Sequence, residues 1–203
     1  MSGWTRHEGL AVGLPRQRID TDQLIPARFM ARPRSAGYGQ FLLHDLRAEP
    51  DFPLAAPEAR GASILVTGRD FGGGSSREAA VYALVDAGFR VVIAPSFGDI
   101  FAANAVNNGL LPARAATADL LGRLPARLRV DLQTQTITGA GLELPFTIDR
   151  VSVTKLINGW DDIDLTTVHR AAIAAFAARR KASAPWLWPL RTGESPPTTG
   201  REE

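Results

Sequence analysis

The chain has 203 residues, 45% of them hydrophobic and 22% charged, which is enough to bury a substantial core without disulfides or structural metal and excludes a disordered or collagen-like protein. It contains no cysteine, so it makes no disulfide, holds no iron-sulfur cluster on its own thiolates and uses no cysteine nucleophile. The formal charge is only +2, and apart from Lys155 and Lys181 the basic residues are arginines scattered along the chain, which argues against a nucleic-acid surface.

His7, His44 and His169 lie far apart with no paired spacing for zinc. No apolar run approaches the roughly 18 residues of a membrane span, and Met1 to Leu10 lacks an apolar signal core. The expectation is a cytoplasmic protein with neither membrane nor nucleic-acid partner.

In chain order, a strand is expected around Leu10 to Leu14. It is followed by a stretch broken by Pro26, Pro33, Gly37, Gly39, Pro50, Pro53 and Pro57, which reads as loop up to Arg60. A strand over Ala62 to Thr67, a glycine turn at Gly72 to Gly74, a helix to about Ala87 and a strand over Val91 to Ala94 then predict a β-α-β unit with parallel strands. A further helix spans Asp99 to Asn107, with Gly109 and Pro112 as its stop signals. Alternating patterns over Leu128 to Leu132, Thr134 to Thr138 and Leu142 to Ile148 predict short antiparallel strands. Val168, Ala172, Ala175 and Phe176 repeat at helical spacing in a helix from about Thr167 to Lys181, expected to pack on the sheet. One domain therefore covers residues 1–182. Residues 183–203, with Trp186, Trp188 and several prolines, form a tail whose end lacks material for a core.

The segment Gly68-Arg-Asp-Phe-Gly-Gly-Gly-Ser-Ser-Arg-Glu78 joins the carboxyl end of a strand to the start of a helix, where open α/β sheets usually bind ligands. Gly72, Gly73 and Gly74 let the backbone approach a ligand closely, and the N–H groups of the first helical turn favour negative charge. No lysine follows the glycines as a P-loop requires, and a dinucleotide fingerprint starting at Gly72 would need glycine where Arg77 stands. Two readings remain. Ser75 and Glu78 have capping-box spacing, or Ser75 is a base whose deprotonated form is stabilised by helix amides and by Arg77. Likewise, in Ile19-Asp-Thr-Asp-Gln-Leu-Ile-Pro-Ala-Arg-Phe29, Asp20 and Asp22 form an Asx turn only, or one of them orients an arginine of the glycine-turn segment.

Taken together, Ile19-Asp-Thr-Asp-Gln-Leu-Ile-Pro26, Asp70-Phe-Gly-Gly-Gly-Ser-Ser-Arg-Glu78, and Val92-Ile-Ala-Pro-Ser-Phe-Gly-Asp-Ile-Phe101 followed by Asn107-Asn-Gly-Leu-Leu-Pro112 resemble the small subunits of isopropylmalate isomerase, or 3-isopropylmalate dehydratase, in the aconitase superfamily. The resemblance covers about Leu10 to Ala182. It implies an α/β fold, a three-layer β/β/α swivelling domain. It also implies a separate large subunit whose cysteines carry a four-iron four-sulfur cluster, so no cofactor or metal is expected on this chain.

By the same resemblance, Ser75 matches the catalytic base and Arg77 the arginine that binds a carboxylate of a dicarboxylate substrate. Ser76 matches a neighbouring active-site serine, and Asp22 the acid accompanying the arginine. Arg28, Phe29 and Met30 fall in the loop near the substrate's variable side chain. The chain departs from the commonest family pattern at Gly73, where cysteine is frequent, and at Ala79, where histidine is frequent. The implied reaction isomerises 2-isopropylmalate to 3-isopropylmalate by dehydration and rehydration in leucine biosynthesis. The alternatives are a related hydro-lyase acting on homoaconitate or methylmalate-type substrates, a carboxylate-binding module without catalysis, and a structural partner protein whose site has decayed.

Overall fold

Every residue of the run Ile64-Leu-Val-Thr67 is buried, so this strand needs cover on both of its faces. In the computed structural model, which describes residues 2–188, it is an interior strand of a seven-stranded mixed sheet. The elements in chain order are β1 (Arg6–Leu14), α1 (Thr21–Leu24), a series of short 3-10 turns between Ala27 and Ala59, β2 (Ile64–Thr67), α2 (Glu78–Asp86), β3 (Val91–Ala94), α3 (Asp99–Asn107), β4 (Leu111–Arg114), α4 (Ala118–Leu121), β5 (Ala126–Asp131), β6 (Thr136–Gly139), β7 (Leu142–Pro145) and α5 (Arg150–Asn158). After Asp161 the chain enters a second compact unit, which contains α6 (Asp162–Thr167) and α7 (Arg170–Ser183).

The strand order is β4-β3-β2-β1-β5-β6-β7. Strands β1 to β4 run parallel to their neighbours, and β5, β6 and β7 add on antiparallel beyond β1. The expected β-α-β unit is therefore present as β2-α2-β3, and the three expected antiparallel strands are β5, β6 and β7. The two edges of the sheet meet: Arg114, at the end of β4, exchanges backbone hydrogen bonds of 3.3 and 2.9 Å with Thr147, just after β7.

That curl explains the layering. Successive strand residues point to opposite faces, and the core divides accordingly. Ala11, Ile64, Val66, Val91 and Ile93 join Leu128, Val130 and Ile137 between the two halves of the sheet. Their neighbours Val12, Leu65, Val92 and Ala94 pack with Ala80, Leu84, Phe101 and Ala105 of the covering helices. The result is the α/β, β/β/α arrangement.

Helix α3 ends at Asn107 as expected, and Pro112, the stop signal beyond it, lies inside β4. Proline is tolerated there because β4 is an edge strand that at Pro112 pairs only with β3, the bridge to Thr147 forming two residues on, at Arg114. Helix α7 lies in the second unit, where Val168 and Phe176 are 56% and 59% exposed and no residue of the helix is buried. Alanines dominate its sequence, so high helix propensity sustains the helix with little area to bury. The expectation about the end of the tail falls, from residue 189 onward, outside the described residues.

Candidate active site

The glycine turn leaves the carboxyl end of β2 and is held from both sides by main chain. On one side, Gly72 N–H donates to the Ile19 carbonyl at 2.7 Å and Thr21 N–H donates to the Gly73 carbonyl at 2.9 Å. On the other, Phe71 N–H donates to the Ser96 carbonyl at 3.1 Å and Gly98 N–H to the Phe71 carbonyl at 2.9 Å. The segments around Ile19 and Ser96, distant in sequence, thus flank the turn as strands flank a central strand. Phe71 anchors it beneath, fully buried with its ring edge-on to Phe101 at 5.3 Å.

Two glycines are needed for this path. Gly72 has φ of +74°, and a Cβ there would stand 2.2 Å from the Phe101 ring. Gly74 has φ of +89°, a region that L side chains rarely adopt. Gly73 is different, because the nearest atom to a Cβ built on it is the Asp70 carbonyl oxygen at 3.9 Å. A Cβ at this position is in no more than ordinary van der Waals contact.

Beyond the turn, Ser75 and Ser76 are exposed and Arg77 is half-buried. Helix α2 starts at Glu78 with Arg77 as its N-cap residue, and no side chain caps it. The capping-box reading of Ser75 and Glu78 therefore fails. Ser75 lies ahead of the position from which a hydroxyl could reach the first-turn amides as a cap. Its own carbonyl accepts a 2.8 Å hydrogen bond from the Thr21 hydroxyl.

The two aspartates of Ile19 to Pro26 divide the readings that the sequence left open. Asp20 caps α1: its carboxylate accepts from Gln23 N–H at 2.7 Å, while the Gln23 side chain accepts from Asp20 N–H at 3.0 Å. Asp22, on the helix so formed, pairs with the Arg77 guanidinium. Ser75, Ser76, Arg77 and Asp22 are thus brought to one place, at the carboxyl end of the parallel strands.

Arg28, Phe29 and Met30 are turned elsewhere. The Arg28 guanidinium pairs with Asp45 and lies 4.7 Å from the Phe29 ring centroid. That guanidinium, with help from His44, holds the Asp45 carboxyl below the ordinary carboxylate range. Phe29 stacks on Phe41 at 4.4 Å, and Met30 closes a 3-10 turn. Among the described residues no hydrogen bond, ion pair or ring contact joins these three to the segment Ser75 to Arg77.

Sequence reasoning passed over two groups at this site. Thr21 is buried between the two aspartates and gives no chemical signal of its own. Asp70, at φ of +60°, forms a clasp with Ser96: its N–H donates to the Ser96 hydroxyl oxygen at 2.8 Å, and that hydroxyl donates back to its carboxylate at 2.6 Å. Only the spatial neighbours reveal either role. For metals, the chain offers no thiolate, and among the described residues no group of three or more His, Asp or Glu side chains could hold an ion. This donor set does not fit an iron-sulfur cluster.

The glycine turn and the segments that flank it lie within the part of the chain that matches a known family. Residues 1–118 match the family model of the aconitase C-terminal domain, and residues 162–189 match that of the C-terminal domain of the 3-isopropylmalate dehydratase small subunit. A 3-isopropylmalate dehydratase small subunit from Shouchella clausii is 47% identical over 188 residues, spanning 87% of this chain and 95% of its own. One from Frankia alni is 44% identical over 194 residues, covering 92% and 98%. The crystal structure of a 3-isopropylmalate dehydratase from Methanocaldococcus jannaschii superposes with a TM-score of 0.67 at 24% identity, covering 84% of this chain and 98% of that one, which supports the fold.

Proposed function

The chain belongs to the 3-isopropylmalate dehydratase small-subunit family and carries an aconitase C-terminal domain, and on that premise we propose that it forms one wall of a hydro-lyase site, the other wall being supplied by a separate large subunit. The reaction is isomerisation of 2-isopropylmalate to 3-isopropylmalate through removal and re-addition of water, a step of leucine biosynthesis. A four-iron four-sulfur cluster on cysteines of the large subunit supplies Lewis-acid chemistry when bound. No helix among the described residues is long and apolar enough to cross a membrane, and we place the enzyme in the cytoplasm.

On this chain, the roles fall to the exposed segment after the glycine turn. Ser75 takes a proton from the substrate carbon and returns it when water is re-added. Arg77 grips a substrate carboxylate through its planar fork, and Asp22 keeps that fork in a single orientation. Ser76 contributes a second hydroxyl to the same wall. Arg28, Phe29 and Met30 belong to the loop that meets the substrate's variable side chain once the partner is docked. The observation that carries this reading is the arrangement of an exposed Ser75 beside an arginine already locked by Asp22. An open half-site of this kind suits a protein that closes its cavity with a second chain.

The test is co-expression with the large subunit and assay of the assembled pair on 2-isopropylmalate, with citraconate-type and citrate-type acids beside it. Ser75→Ala is expected to assemble normally and lose about 10²- to 10⁴-fold in turnover, the range for a positioned proton-transfer group. Wild-type turnover by this variant rejects Ser75 as the base. Preference for a citraconate-type or citrate-type acid reassigns the substrate and leaves the roles in place.

A further inference from the structure

The three residues between Gly73 and Arg77 carry the reactive hydroxyls and are the least anchored part of the site. Gly74 has a positive φ, and Ser75 and Ser76 are exposed. Among the described residues these three make one hydrogen bond to another segment, the 2.8 Å bond from the Thr21 hydroxyl to the Ser75 carbonyl. The donor is itself firmly placed. Thr21 is 2% exposed, its N–H is held by the Gly73 carbonyl, and its carbonyl accepts from Ile25 N–H at 3.0 Å. The helix it starts is capped reciprocally by Asp20 and Gln23.

We propose that Thr21 is a positioning residue: by holding the Ser75 carbonyl, its buried hydroxyl sets where the Ser75 side chain stands relative to the Arg77 guanidinium. The inference rests on the reading of Ser75 as the base. It deepens that reading by giving one short element both halves of the site. Thr21 fixes the backbone of Ser75, and the next residue, Asp22, fixes Arg77. The separation between proton acceptor and carboxylate grip is then set by the geometry of a single helical turn. Displacement of a reacting group by about 1 Å costs about 100-fold in rate, so one unmade hydrogen bond here has a kinetic consequence out of proportion to its strength.

Thr21→Val keeps the shape of the side chain and removes the donor; Thr21→Ala does the same with less volume, and Thr21→Ser keeps the donor. Each is assembled with the large subunit and assayed on 2-isopropylmalate, ordinary and deuterated at the carbon that yields its proton. Amide hydrogen exchange over Gly72 to Arg77 is followed in parallel. For Thr21→Val we expect kcat to fall about 10- to 100-fold with KM within about threefold, because Asp22 and Arg77 still hold the carboxylate. The deuterium isotope effect should rise as proton transfer slows, and exchange should quicken. Thr21→Ser should restore all three.

Wild-type kcat in Thr21→Val overturns the proposal. So does a slower rate with an unchanged isotope effect, which reports fewer active molecules rather than a displaced base. Failure of both Thr21→Val and Thr21→Ala to assemble makes the hydroxyl a folding contact and overturns it as well. Full activity in Ser75→Ala is a separate result, removing the base assignment on which the proposal stands.

Discussion

Arg77 and Asp22 are 55 residues apart in sequence and form an ion pair in which the arginine side chain is 18% exposed and the aspartate side chain 51%. Such a half-exposed pair adds at most about 1 kcal/mol to stability. Its consequence is orientation. A guanidinium pinned on one edge presents its remaining N–H groups in a fixed direction, so less rotamer entropy is lost when a carboxylate arrives.

Replacing Arg77 by lysine should therefore damage binding more than folding. One ammonium cannot keep Asp22 and also hold a substrate carboxylate through two parallel bonds. We expect KM of the assembled enzyme to rise at least about tenfold, the equivalent of about 1.4 kcal/mol, with the urea midpoint of the isolated chain nearly unchanged. Unaltered KM and kcat would remove Arg77 from the substrate grip.

The capping geometry separates Ser75 from Asp20. Because no side chain caps α2, Ser75→Ala should alter stability by no more than about 0.5 kcal/mol. Asp20 does cap α1, so Asp20→Ala should cost about 1 kcal/mol. It should also slow turnover by loosening the helix that bears Thr21 and Asp22. Urea unfolding of both variants, compared at one pH, gives the ranking, and the opposite ranking contradicts the cap assignment.

Adjacent glycines in the turn should respond in opposite ways. Gly72→Ala meets the Phe101 ring and an unfavourable φ together, which should cost about 3 kcal/mol from overpacking and backbone strain. Gly73→Cys brings its Cβ only into ordinary van der Waals contact with the Asp70 carbonyl and should fold within about 0.5 kcal/mol of the parent. Thermal melts of the two variants suffice; equal losses would mean that the turn does not have this path.

Stability near neutral pH should depend on His7. Burial, and then the Arg90 guanidinium, lower its pKa below the ordinary 6.5, while its Nε2 lies 2.8 Å from the Ser63 hydroxyl, linking β1 to the residue preceding β2. Above pH 6.5 both folded and unfolded chains carry a neutral imidazole, and this part of the stability is complete. As pH falls through 6.5 toward the lower folded value, the unfolded chain gains a proton that the folded chain resists, and stability declines. Asp131, held below its ordinary range chiefly by Arg6 at 2.6 Å, does not titrate in that window. His7→Gln should flatten the dependence of the urea midpoint between about pH 7.5 and 5.5, and an unchanged slope would assign it to other groups.

What one sequence determined by itself was local or written in several motifs at once. Short apolar runs marked strands such as Val91–Ala94, glycine beside polar residues marked the turn after β2, and Asp99–Asn107 was bounded by its stop signals. The ordered motifs around Asp22, Ser75 and Phe97 pointed to the family. Tertiary structure decided which aspartate capped and which paired with Arg77, that Ser75 was not a cap, that Thr21 touched it, and that Pro112 fitted an edge strand. The reason is physical: each of these depends on which atoms lie within about 3 Å across segments about 50 residues apart or on neighbouring strands, and spacing along a chain carries no information about distances that only the closed sheet and its packed helices create.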